Sequence, residues 1–425
     1  MDRVITCVDV GSTWTKAVRV APDGELLGTA QHPTTPPEVL RGIDAVTHAG
    51  DEVLLCSSAG GGLRLAVVGQ ERLVSAEAGH RVALSAGARV VHVSSGPLSG
   101  AGLRELRARA PDLVLLVGGT DGGDASVLLH NARRLAVNRL ACPVVLAGNT
   151  AARAEALELL RSTGRVVVPC DNVLPDVGEL APGPARAAIR SAFLRHVIGG
   201  KGLSRGPRFR RLVRAVTPDA VLAGVSRFAA LGGGEAVLVV DVGGATTDVY
   251  SAVSGVDDDV ERTVALPPDR RTVEGDLGMR ASAPGVVAEA LAERLVEPEE
   301  ARRLEAAALA RAARVDRVPG DEAERAVDLR LAGLATVLAV RRHLRLVDGR
   351  LGPRGAGLLV LSGGVFRHAP SSEPVERVLR ADPVLRPVLR SASVLVDRDH
   401  VLAPAGLLAE AGRTAAATAL LRGLT

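Results

Sequence analysis

The sequence predicts an α/β fold with two domains and an internal duplication. Strand-like and helix-like stretches alternate along its 425 residues, which is typical of α/β proteins, and a chain of this length can bury two hydrophobic cores. The hydrophobic content is 47% and the aromatic content only 1%, so we expect cores of Ala, Val and Leu. The duplication is visible in two glycine-containing hairpins, one at the N-terminus and one in the second half of the chain.

The second hairpin is read from Ala236 to Ala252 (AVLVVDVGGATTDVYSA). An apolar run ends in Asp241, passes through two glycines and returns as a second alternating run, which is typical of a β-hairpin. Glycines let backbone N–H groups converge on one point, hydroxyls add donors, and a carboxylate can hold a phosphate-bound magnesium through water. We therefore predict a polyphosphate site. The expected contacts are Asp241, Gly243, Gly244, Thr246 and Thr247.

The first hairpin repeats this pattern. The stretch Val8–Gly11 aligns with Val240–Gly243, and without a gap the alignment also places Thr15 on Thr247 and Lys16 on Asp248. An internal duplication explains this most simply. The expected nucleotide contacts of the first copy are Gly11, Ser12, Thr13, Thr15 and Lys16.

Strand alternation places Lys16 on the inner face near the first bend, and Asp248 on the matching face of the second copy. A cation can neutralise phosphate charge, and an acid opposite it can order the metal or the attacking water. We predict Asp9, Asp241 and Asp248 as catalytic residues. Asp9 and Asp241 are also the predicted metal ligands.

Two further strands end in paired glycines. The run Leu113–Val117 is followed by Gly118 and Gly119, and Leu358–Leu361 is followed, after Ser362, by Gly363 and Gly364. We interpret the two strands as counterparts in the two halves. Paired glycines let a base or ribose approach the backbone, and they also suit tight packing. Gly363 and Gly364 are predicted to contact the nucleotide, whereas both interpretations stay open for the first pair.

Composition excludes several classes of protein. The formal charge is +4, from 52 basic and 48 acidic residues, which gives no support for nucleic-acid binding. The four cysteines are far apart and contain no C-x-x-C pair, as expected for a reduced cytoplasmic protein without a disulfide set or metal cluster. We find no apolar stretch of membrane-spanning length and expect no signal peptide before the first strand.

Other polar segments have simpler interpretations. The serine and glycine run from 57 to 62 is interpreted as a loop, and the arginine cluster from Arg205 to Arg214 as a solvated face. The acidic stretch Asp257–Glu261 is expected to be an exposed turn. In the loop TVEGDLGMR (Thr272–Arg280), Glu274 and Asp276 are candidates to reach the cleft.

Two acid-bearing hairpins followed by a late strand with paired glycines resemble the actin-like ATPase superfamily, which includes acetate and sugar kinases, actin and the seventy-kilodalton chaperones. The resemblance implies a duplicated ribonuclease-H-like fold, with ATP and Mg²⁺ in a cleft between the halves. The first half would be residues 1–205, including an extra α/β segment and a crossover. The second would be residues 206–425.

Six motifs are spread over nearly the whole chain. They are DVGSTWTK (Asp9–Lys16), CSSA (Cys56–Ala59), GGTDGG (Gly118–Gly123), DNVLP (Asp171–Pro175), the second hairpin, and EGDLGM (Glu274–Met279). Together they resemble the glutamate mutase accessory family called MutL or GlmL, which is unrelated to the mismatch-repair protein of that abbreviation. One departure is that Gly60 and Gly61 follow Ala59 where the family more often has a lysine before the glycine.

This resemblance implies a cytoplasmic Mg²⁺-dependent ATPase that acts like a chaperone on an adenosylcobalamin-dependent mutase, reactivating it by exchange of damaged cofactor. The first hairpin would contact the terminal phosphates, the second the magnesium and remaining phosphates, and Gly363 and Gly364 the adenosine. The chain has no D-x-H-x-x-G pattern, so we expect the cobalamin on the partner mutase subunits. Neither nucleic acid nor membrane is an expected partner.

Three alternatives stay open. A small-molecule kinase on the same scaffold would need a base for its acceptor, for which Asp9, Asp241 and Asp248 are candidates. An activator of radical acyl-CoA dehydratases would need cysteines grouped for a shared cluster. A non-enzymatic assembly protein of the cell-division type would bind ATP and polymerise or bind membrane.

Overall fold

A computed structural model describes residues 3–59, 63–138, 140–198, 203–204, 207–232, 235–253, 269–347, 349, 351 and 355–424. Contacts divide the chain into two compact units. We call the first the hairpin unit (Met1–Ala59, Ala220–Asp257 and Arg271–Thr425) and the second the parallel unit (Gly60–Asp219 and Asp258–Arg270). The stretches 60–62 and 257–261, and Arg205 of the arginine cluster, lie outside the described residues.

The strands lie within a few residues of the predicted positions, except for Val167–Pro169, Val213–Val216 and Asp269–Glu274, where no strand is predicted. In chain order they are β1 (Ile5–Val10), β2 (Trp14–Val20), β3 (Leu26–Pro33), β4 (Glu52–Ser57), β5 (Arg64–Gly69), β6 (Arg89–Ser95), β7 (Leu113–Leu116), β8 (Val144–Leu146), β9 (Val167–Pro169), β10 (Val213–Val216), β11 (Ala236–Val242), β12 (Thr247–Ala252), β13 (Asp269–Glu274), β14 (Ala356–Ser362) and β15 (Ser393–Val396).

Helices fill most of the intervals between strands. They are α1 (Val39–Val46), α2 (Ser75–Ser85), α3 (Gly100–Ala108), α4 (Ser126–Val137), α5 (Arg153–Arg161), α6 (Pro182–Ala192), α7 (Arg208–Leu212), α8 (Thr217–Leu231), α9 (Ala283–Ala292), α10 (Pro298–Ala313), α11 (Glu322–Leu346), α12 (Gly364–Arg367), α13 (Glu373–Ala381), α14 (Leu402–Glu410) and α15 (Thr414–Arg422). A 3₁₀ turn (Thr150–Ala152) precedes α5, and a π-helical turn (Phe193–Val197) follows α6.

The hairpin unit contains two sheets of matching order. In the first, the strands lie in the order β4-β1-β2-β3, and in the second in the order β13-β12-β11-β14-β15. Each is built on an antiparallel hairpin, β1–β2 or β11–β12, whose first strand also pairs in parallel with a later strand, β4 or β14. This repeated order confirms the predicted duplicated α/β fold of the actin-like type.

One predicted correspondence is wrong. The structural counterpart of β14 is β4, because both lie parallel to the first strand of a hairpin, whereas β7 belongs to a different sheet. The mistake has a physical reason. A short buried apolar run before a glycine pair looks alike whichever sheet it joins, since periodicity shows only that both faces are covered.

The parallel unit has its own five-stranded sheet, with all strands parallel and in the order β6-β5-β7-β8-β9. Strands β7 and β8 are wholly buried, as expected for a sheet covered on both faces. Its core includes Leu103, Leu106, Leu128 and Leu135 from the covering helices. The predicted division at residues 205 and 206 stays a prediction, because these units follow contacts and not the duplication.

Small aliphatic side chains form the cores, as the composition predicts. Aromatic contributions are few, and the largest fully buried side chains are Tyr250, Phe193, Phe209 and Phe366. None of the four cysteines forms a disulfide, and Cys7 and Cys56 are buried while the other two are half-buried. Within the described ranges, no helix combines the length and apolarity needed to cross a membrane.

Candidate nucleotide site

The two predicted phosphate bends have the same local geometry. In the first, the N–H of Gly11 donates to the carbonyl of Trp14 at 3.0 Å, and in the second the N–H of Gly243 donates to the carbonyl of Thr246 at 2.9 Å. A Cβ on Gly11 would lie 2.9 Å from that carbonyl oxygen, and one on Gly243 would lie 3.0 Å from its counterpart. The gapless sequence alignment therefore matches structurally equivalent residues.

The bends also approach each other within the hairpin unit. A Cβ added to Gly244 would lie 2.8 Å from the side-chain oxygen of Thr13. A larger residue at this position would therefore displace the Thr13 side chain of the neighbouring bend. The sequence placed both residues at a phosphate site, and the structure brings them side by side.

A row of polar side chains crosses the second sheet. Asp241 is in register with Asp248 on β12 and with Ser362 on β14. Asp397 directly follows β15, where Val396 pairs with Leu361, so it continues the row beside Ser362. Residues in register on neighbouring strands project to the same face. We call Asp248, Asp241, Ser362 and Asp397 the acidic row.

The first sheet carries a corresponding row. Asp9 is in register with Lys16 on β2 and with Cys56 on β4. The thiol of Cys56 donates to Oδ1 of Asp9 at 3.7 Å, and the side chain of Ser362 forms a hydrogen bond with Asp241. Each aspartate of the duplicated hairpins is therefore flanked by a small donor on the parallel strand. We call Lys16, Asp9 and Cys56 the lysine row.

Both rows contribute to one small cavity in the hairpin unit, which all their members line except Asp248 and Cys56. Its volume is about 30 Å³, which holds one or two water molecules and is too small for a triphosphate. A bound polyphosphate would therefore lie outside it, against the bends. The lining residues are Cys7, Asp9, Lys16, Val18, Val221, Asp241, Ser362, Asp397, His400, Leu402, Ala403 and Pro404.

Burial and mutual repulsion act on the charges around this cavity. Burial raises the pKa of Asp241. The charge of Lys16 lowers this pKa, whereas the charges of Asp248 and Asp9 raise it further. Burial also raises the pKa of Asp397, to about 6, against the backbone hydrogen bonds it accepts from α14. His400 is held neutral, since burial and then the charge on Lys16 lower its pKa. Such perturbed groups gathered at one cavity mark a functional-site candidate.

Asp248 lies in a different environment from the other two aspartates. Its Oδ1 accepts hydrogen bonds from Nε of Arg271 at 2.9 Å and from the same guanidinium's NH2 at 2.5 Å. Its Oδ2 accepts from the hydroxyl of Thr246 at 3.1 Å. Both oxygens are occupied, so the predicted catalytic role of Asp248 requires that one of these contacts opens.

The two aligned threonines are buried. The hydroxyl of Thr15 lies 3.2 Å from that of Thr34, which in turn donates to the carbonyl of Gly11 at 2.9 Å. The hydroxyl of Thr247 is buried without a hydrogen-bond partner among the described residues. Thr34 therefore braces the first bend, and Thr15 contacts Thr34. A direct phosphate contact by either threonine stays a prediction.

The loop after β13 braces the second bend. The N–H groups of Met279 and Arg280 donate to the carbonyls of Gly243 and Gly244 at 2.9 and 2.7 Å. The hydroxyl of Ser282 donates to the carbonyl of Ala245 at 2.8 Å. Sequence reasoning expected this loop to offer acids to the cleft.

Those acids have a different role in the structure. Glu274 and Asp276 bind Arg342 of α11 at 2.7 and 2.9 Å, and Glu289 binds the same guanidinium at 2.7 Å. The contribution of the loop to the site is thus its backbone, which holds the second bend in place.

The glycine pair after β14 lies beside the second hairpin. Gly363 has φ +118°, and a Cβ there would lie 2.3 Å from the carbonyl oxygen of Val242. Gly364 begins α12, and no atom lies within 4 Å of the position its Cβ would take. The first glycine is therefore needed by the fold, whereas the second leaves open space for a ligand.

In the parallel unit, two motifs of the family resemblance meet at the carboxyl ends of the strands. The amide of Asn172 donates to the carbonyl of Gly119 and to Oδ1 of Asp121, both at 2.9 Å. The carboxylate of Asp124 accepts from the N–H of Ser126 at 2.9 Å. It occupies the first turn of α4, which argues against a phosphate there. These loops support each other structurally.

The site includes residues that sequence reasoning missed. Cys56, Ser362 and Asp397 each follow or end a parallel strand, and Arg271 lies on β13. Placing β4 beside β1 would have revealed Cys56, since Asp9 and Cys56 lie at the ends of their strands. Arg271 is separated from Asp248 by a stretch of chain that gives no pairing signal.

The donors present fit a magnesium ion that arrives with its nucleotide. Among the described residues, no group of three or more His, Cys, Asp or Glu is arranged to hold a metal ion. Mg²⁺ in nucleotide sites keeps several waters and takes one or two carboxylates along with phosphate oxygens. Asp9 and Asp241 at one cavity supply that number.

Two solved structures are distantly similar to this chain. The nucleotide-free acetone carboxylase structure is 14% identical with a TM-score of 0.42, covering 96% of this chain and 70% of that one. A ROK family glucokinase from Streptomyces griseus, in complex with glucose and AMPPNP, is 15% identical with a TM-score of 0.34 and 99% coverage of both chains. TM-scores this low support no conclusion about function.

Sequence comparison is far more specific. A family model described as MutL protein matches residues 5–424. Protein MutL of Clostridium tetanomorphum is 33% identical over 443 residues, which is 95% of each chain. The chain therefore belongs to the MutL protein family, the glutamate mutase-related family and not that of mismatch repair.

Proposed function

We propose that this protein binds and hydrolyses Mg-ATP and uses the cycle to reactivate an adenosylcobalamin-dependent mutase of the glutamate mutase type. Nucleotide binding is supported by one observation, which is that residues of the lysine row and of the acidic row line the same cavity. Two equivalent bends offer backbone donors beside it, and Lys16 supplies the positive charge. The mutase part rests on membership of the MutL family.

Each set of residues has its own role in this proposal. The N–H groups of Gly11 and Gly243 close the two bends, and the backbone N–H groups that follow these glycines bind phosphate oxygens. Lys16 neutralises developing charge on the phosphates. Asp9 and Asp241 hold the metal and its waters, and magnesium supplies charge stabilisation when it is bound. The cavity between the rows keeps one or two waters next to the carboxylates.

A coupling between nucleotide and partner follows from this arrangement. The bends belong to different sheets, so a triphosphate that touches both binds one relative placement of the sheets more tightly than others. A ligand shifts a conformational equilibrium by its differential affinity for the two states. ATP binding and phosphate release would thus switch the protein between two conformations. A mutase bound to the protein would respond to this change.

Calorimetry with Mg-ATP tests nucleotide binding, and Asp241→Asn serves as the matched variant. We expect binding by the wild type and slow release of inorganic phosphate. Absence of binding would refute the proposal. A stable phosphorylated small molecule would instead identify the kinase alternative.

The partner function needs a separate measurement. Glutamate mutase inactivated with cyanocobalamin is mixed with the protein and ATP, and cobalamin is measured by absorbance after filtration. We expect release with ATP and none with the Asp241→Asn variant. If phosphate is produced but no cobalamin is released, the ATPase proposal stands and the reactivase proposal is rejected.

A further inference from the structure

Asp397 is a buried carboxylate that the proposed chemistry does not use. It is 1% exposed, and its Oδ1 accepts the N–H of Val401, the residue before α14, at 2.9 Å. Its own N–H donates to the carbonyl of Leu361 at 2.9 Å. Asp397 is therefore held through both its side chain and its backbone, and it lines the cavity.

Lys16 lines the same cavity as Asp9, Asp241 and Asp397. Burial raises the pKa of both Asp241 and Asp397, and the charge of Lys16 lowers it. None of the ion pairs found among the described residues involves Lys16. The ammonium therefore shares a cavity with three carboxylates without forming an ion pair with any of them.

We propose that Asp397 is a positioning residue of the nucleotide site, whose carboxylate holds the Lys16 ammonium away from Asp9 and Asp241 and orients it toward a bound phosphate. This inference rests on the proposed function, since it assumes that phosphate binds at the bends. Without Asp397, the ammonium moves toward the two aspartates that hold the metal. Both phosphate and metal then bind less well.

A capping role alone does not explain a carboxylate here. Asparagine offers the same acceptor oxygen to α14 and caps a helix as well as aspartate does. Burial raises the pKa of Asp397 to about 6, so its ionised form costs stability at neutral pH. A charge retained against that cost indicates a function for the charge.

The sign of one substitution separates the proposal from simple electrostatics. Removing a negative charge near an anionic ligand should strengthen binding. The proposal requires the opposite, a nucleotide Kd raised about five- to tenfold in Asp397→Asn. In a Lys16→Gln background there is no ammonium to orient, so Asp397→Asn should leave the Kd unchanged or lower it.

A control aspartate has similar burial and bonding. Asp382 is buried, its Oδ1 accepts the N–H of Leu385 at 3.1 Å, and its Oδ2 binds Arg341 at 2.6 Å. It does not line the cavity. Asp382→Asn should leave the nucleotide Kd as it is in the wild type.

A measurement without nucleotide tests the Lys16 environment directly. The chain has only two lysines, Lys16 and Lys201, so Lys201→Arg protein labelled with ¹³Cε-lysine gives a single side-chain NMR signal. We expect Asp397→Asn to shift this signal and Asp382→Asn to leave it in place. An unshifted signal in Asp397→Asn overturns the proposal.

Binding by the full-length protein completes the test. Three results together support the positioning role. Asp397→Asn shifts the signal, it weakens Mg-ATP binding, and in the Lys16→Gln background it no longer weakens binding. A shifted signal with equal or tighter binding in Asp397→Asn overturns that role and leaves the ATPase proposal intact. If the wild type binds no nucleotide, the proposed function fails and the positioning role fails with it.

Discussion

Arg271 binds one carboxylate oxygen of Asp248 through two of its nitrogens, at 2.9 and 2.5 Å. Arg271 is 3% exposed and Asp248 9% exposed, so this is a buried ion pair. Removing one partner of such a pair leaves an uncompensated charge, whereas replacing both is often tolerated. The pair fixes β13 to β12 at the level of the second bend.

Arg271→Met should lower the free energy of unfolding by about 3–5 kcal/mol. The reason is that the carboxylate of Asp248 stays buried without its guanidinium. Urea denaturation at pH 7.5 measures the change. The Arg271→Met/Asp248→Asn double variant is the control, and it should recover part of the loss. Equal losses in the single and double variants would contradict the argument.

The two second-copy aspartates should differ in hydrolysis. Asp241 lines the cavity, whereas both oxygens of Asp248 are engaged by Arg271 and Thr246. We expect Asp241→Asn to reduce phosphate release by at least about 100-fold, as loss of a charge-stabilising group does. Asp248→Asn should reduce it less. The reverse order would identify Asp248 as the group that orders water.

The contact between the two bends can be tested by a methyl group. Gly244→Ala places a Cβ 2.8 Å from the Thr13 hydroxyl, so the Thr13 side chain must turn away. We expect weaker Mg-ATP binding, because a predicted phosphate donor is displaced, with a stability loss of about 1 kcal/mol or less, because one side chain can move aside. Adding Thr13→Ala to this variant should cause no further loss of affinity, because the hydroxyl is already displaced. Gly28→Ala, where nothing lies within 4 Å, is the neutral control.

Sequence reasoning identified the duplicated hairpins because a glycine bend next to an acid is a local pattern. Asp9, Lys16 and Asp241 were predicted from it and lie at one cavity. Residues brought in by other strands were missed, since register between distant segments leaves no local signal. Asp397 enters the site only because β15 lies parallel to β14.

The same limit explains the wrong counterpart of β14. Both β4 and β7 are short, mainly apolar runs, and such runs do not show which strand lies beside β1. The partners of Asp248, Glu274 and Asp276 are arginines far away in sequence. An arginine-rich chain offers many candidates for each acid, and only the fold selects among them.

Gly364 gives a test of the adenosine position that is independent of the phosphates. No atom lies within 4 Å of a Cβ at Gly364, so Gly364→Val should change the free energy of unfolding by no more than about 0.5 kcal/mol. If adenosine lies against this glycine, the valine should weaken ATP binding about tenfold and leave tripolyphosphate binding unchanged. Calorimetry with both ligands measures this. Equal loss for both ligands would place the phosphates there instead.

Because the carboxylate of Asp397 is buried, neutralising it should stabilise the folded protein, and the gain should depend on pH. Its pKa is raised by burial from the ordinary 3.8 to about 6, so the folded state binds the proton more tightly than the unfolded state. The free energy of unfolding therefore falls as the pH rises from about 4 to 6, and the penalty is complete above that range.

Asp397→Asn removes this penalty and keeps the hydrogen bond to Val401. At pH 7.5 we expect the variant to be more stable than the wild type by on the order of 2 kcal/mol, with the difference vanishing below about pH 4. Urea denaturation across this range measures it. Asp382→Asn should instead be destabilised at pH 7.5, because it loses the charge that pairs with Arg341. An Asp397→Asn variant less stable than the wild type at pH 7.5 would mean that the ionised carboxylate contributes to folding, and the argument that it is kept for binding would fail.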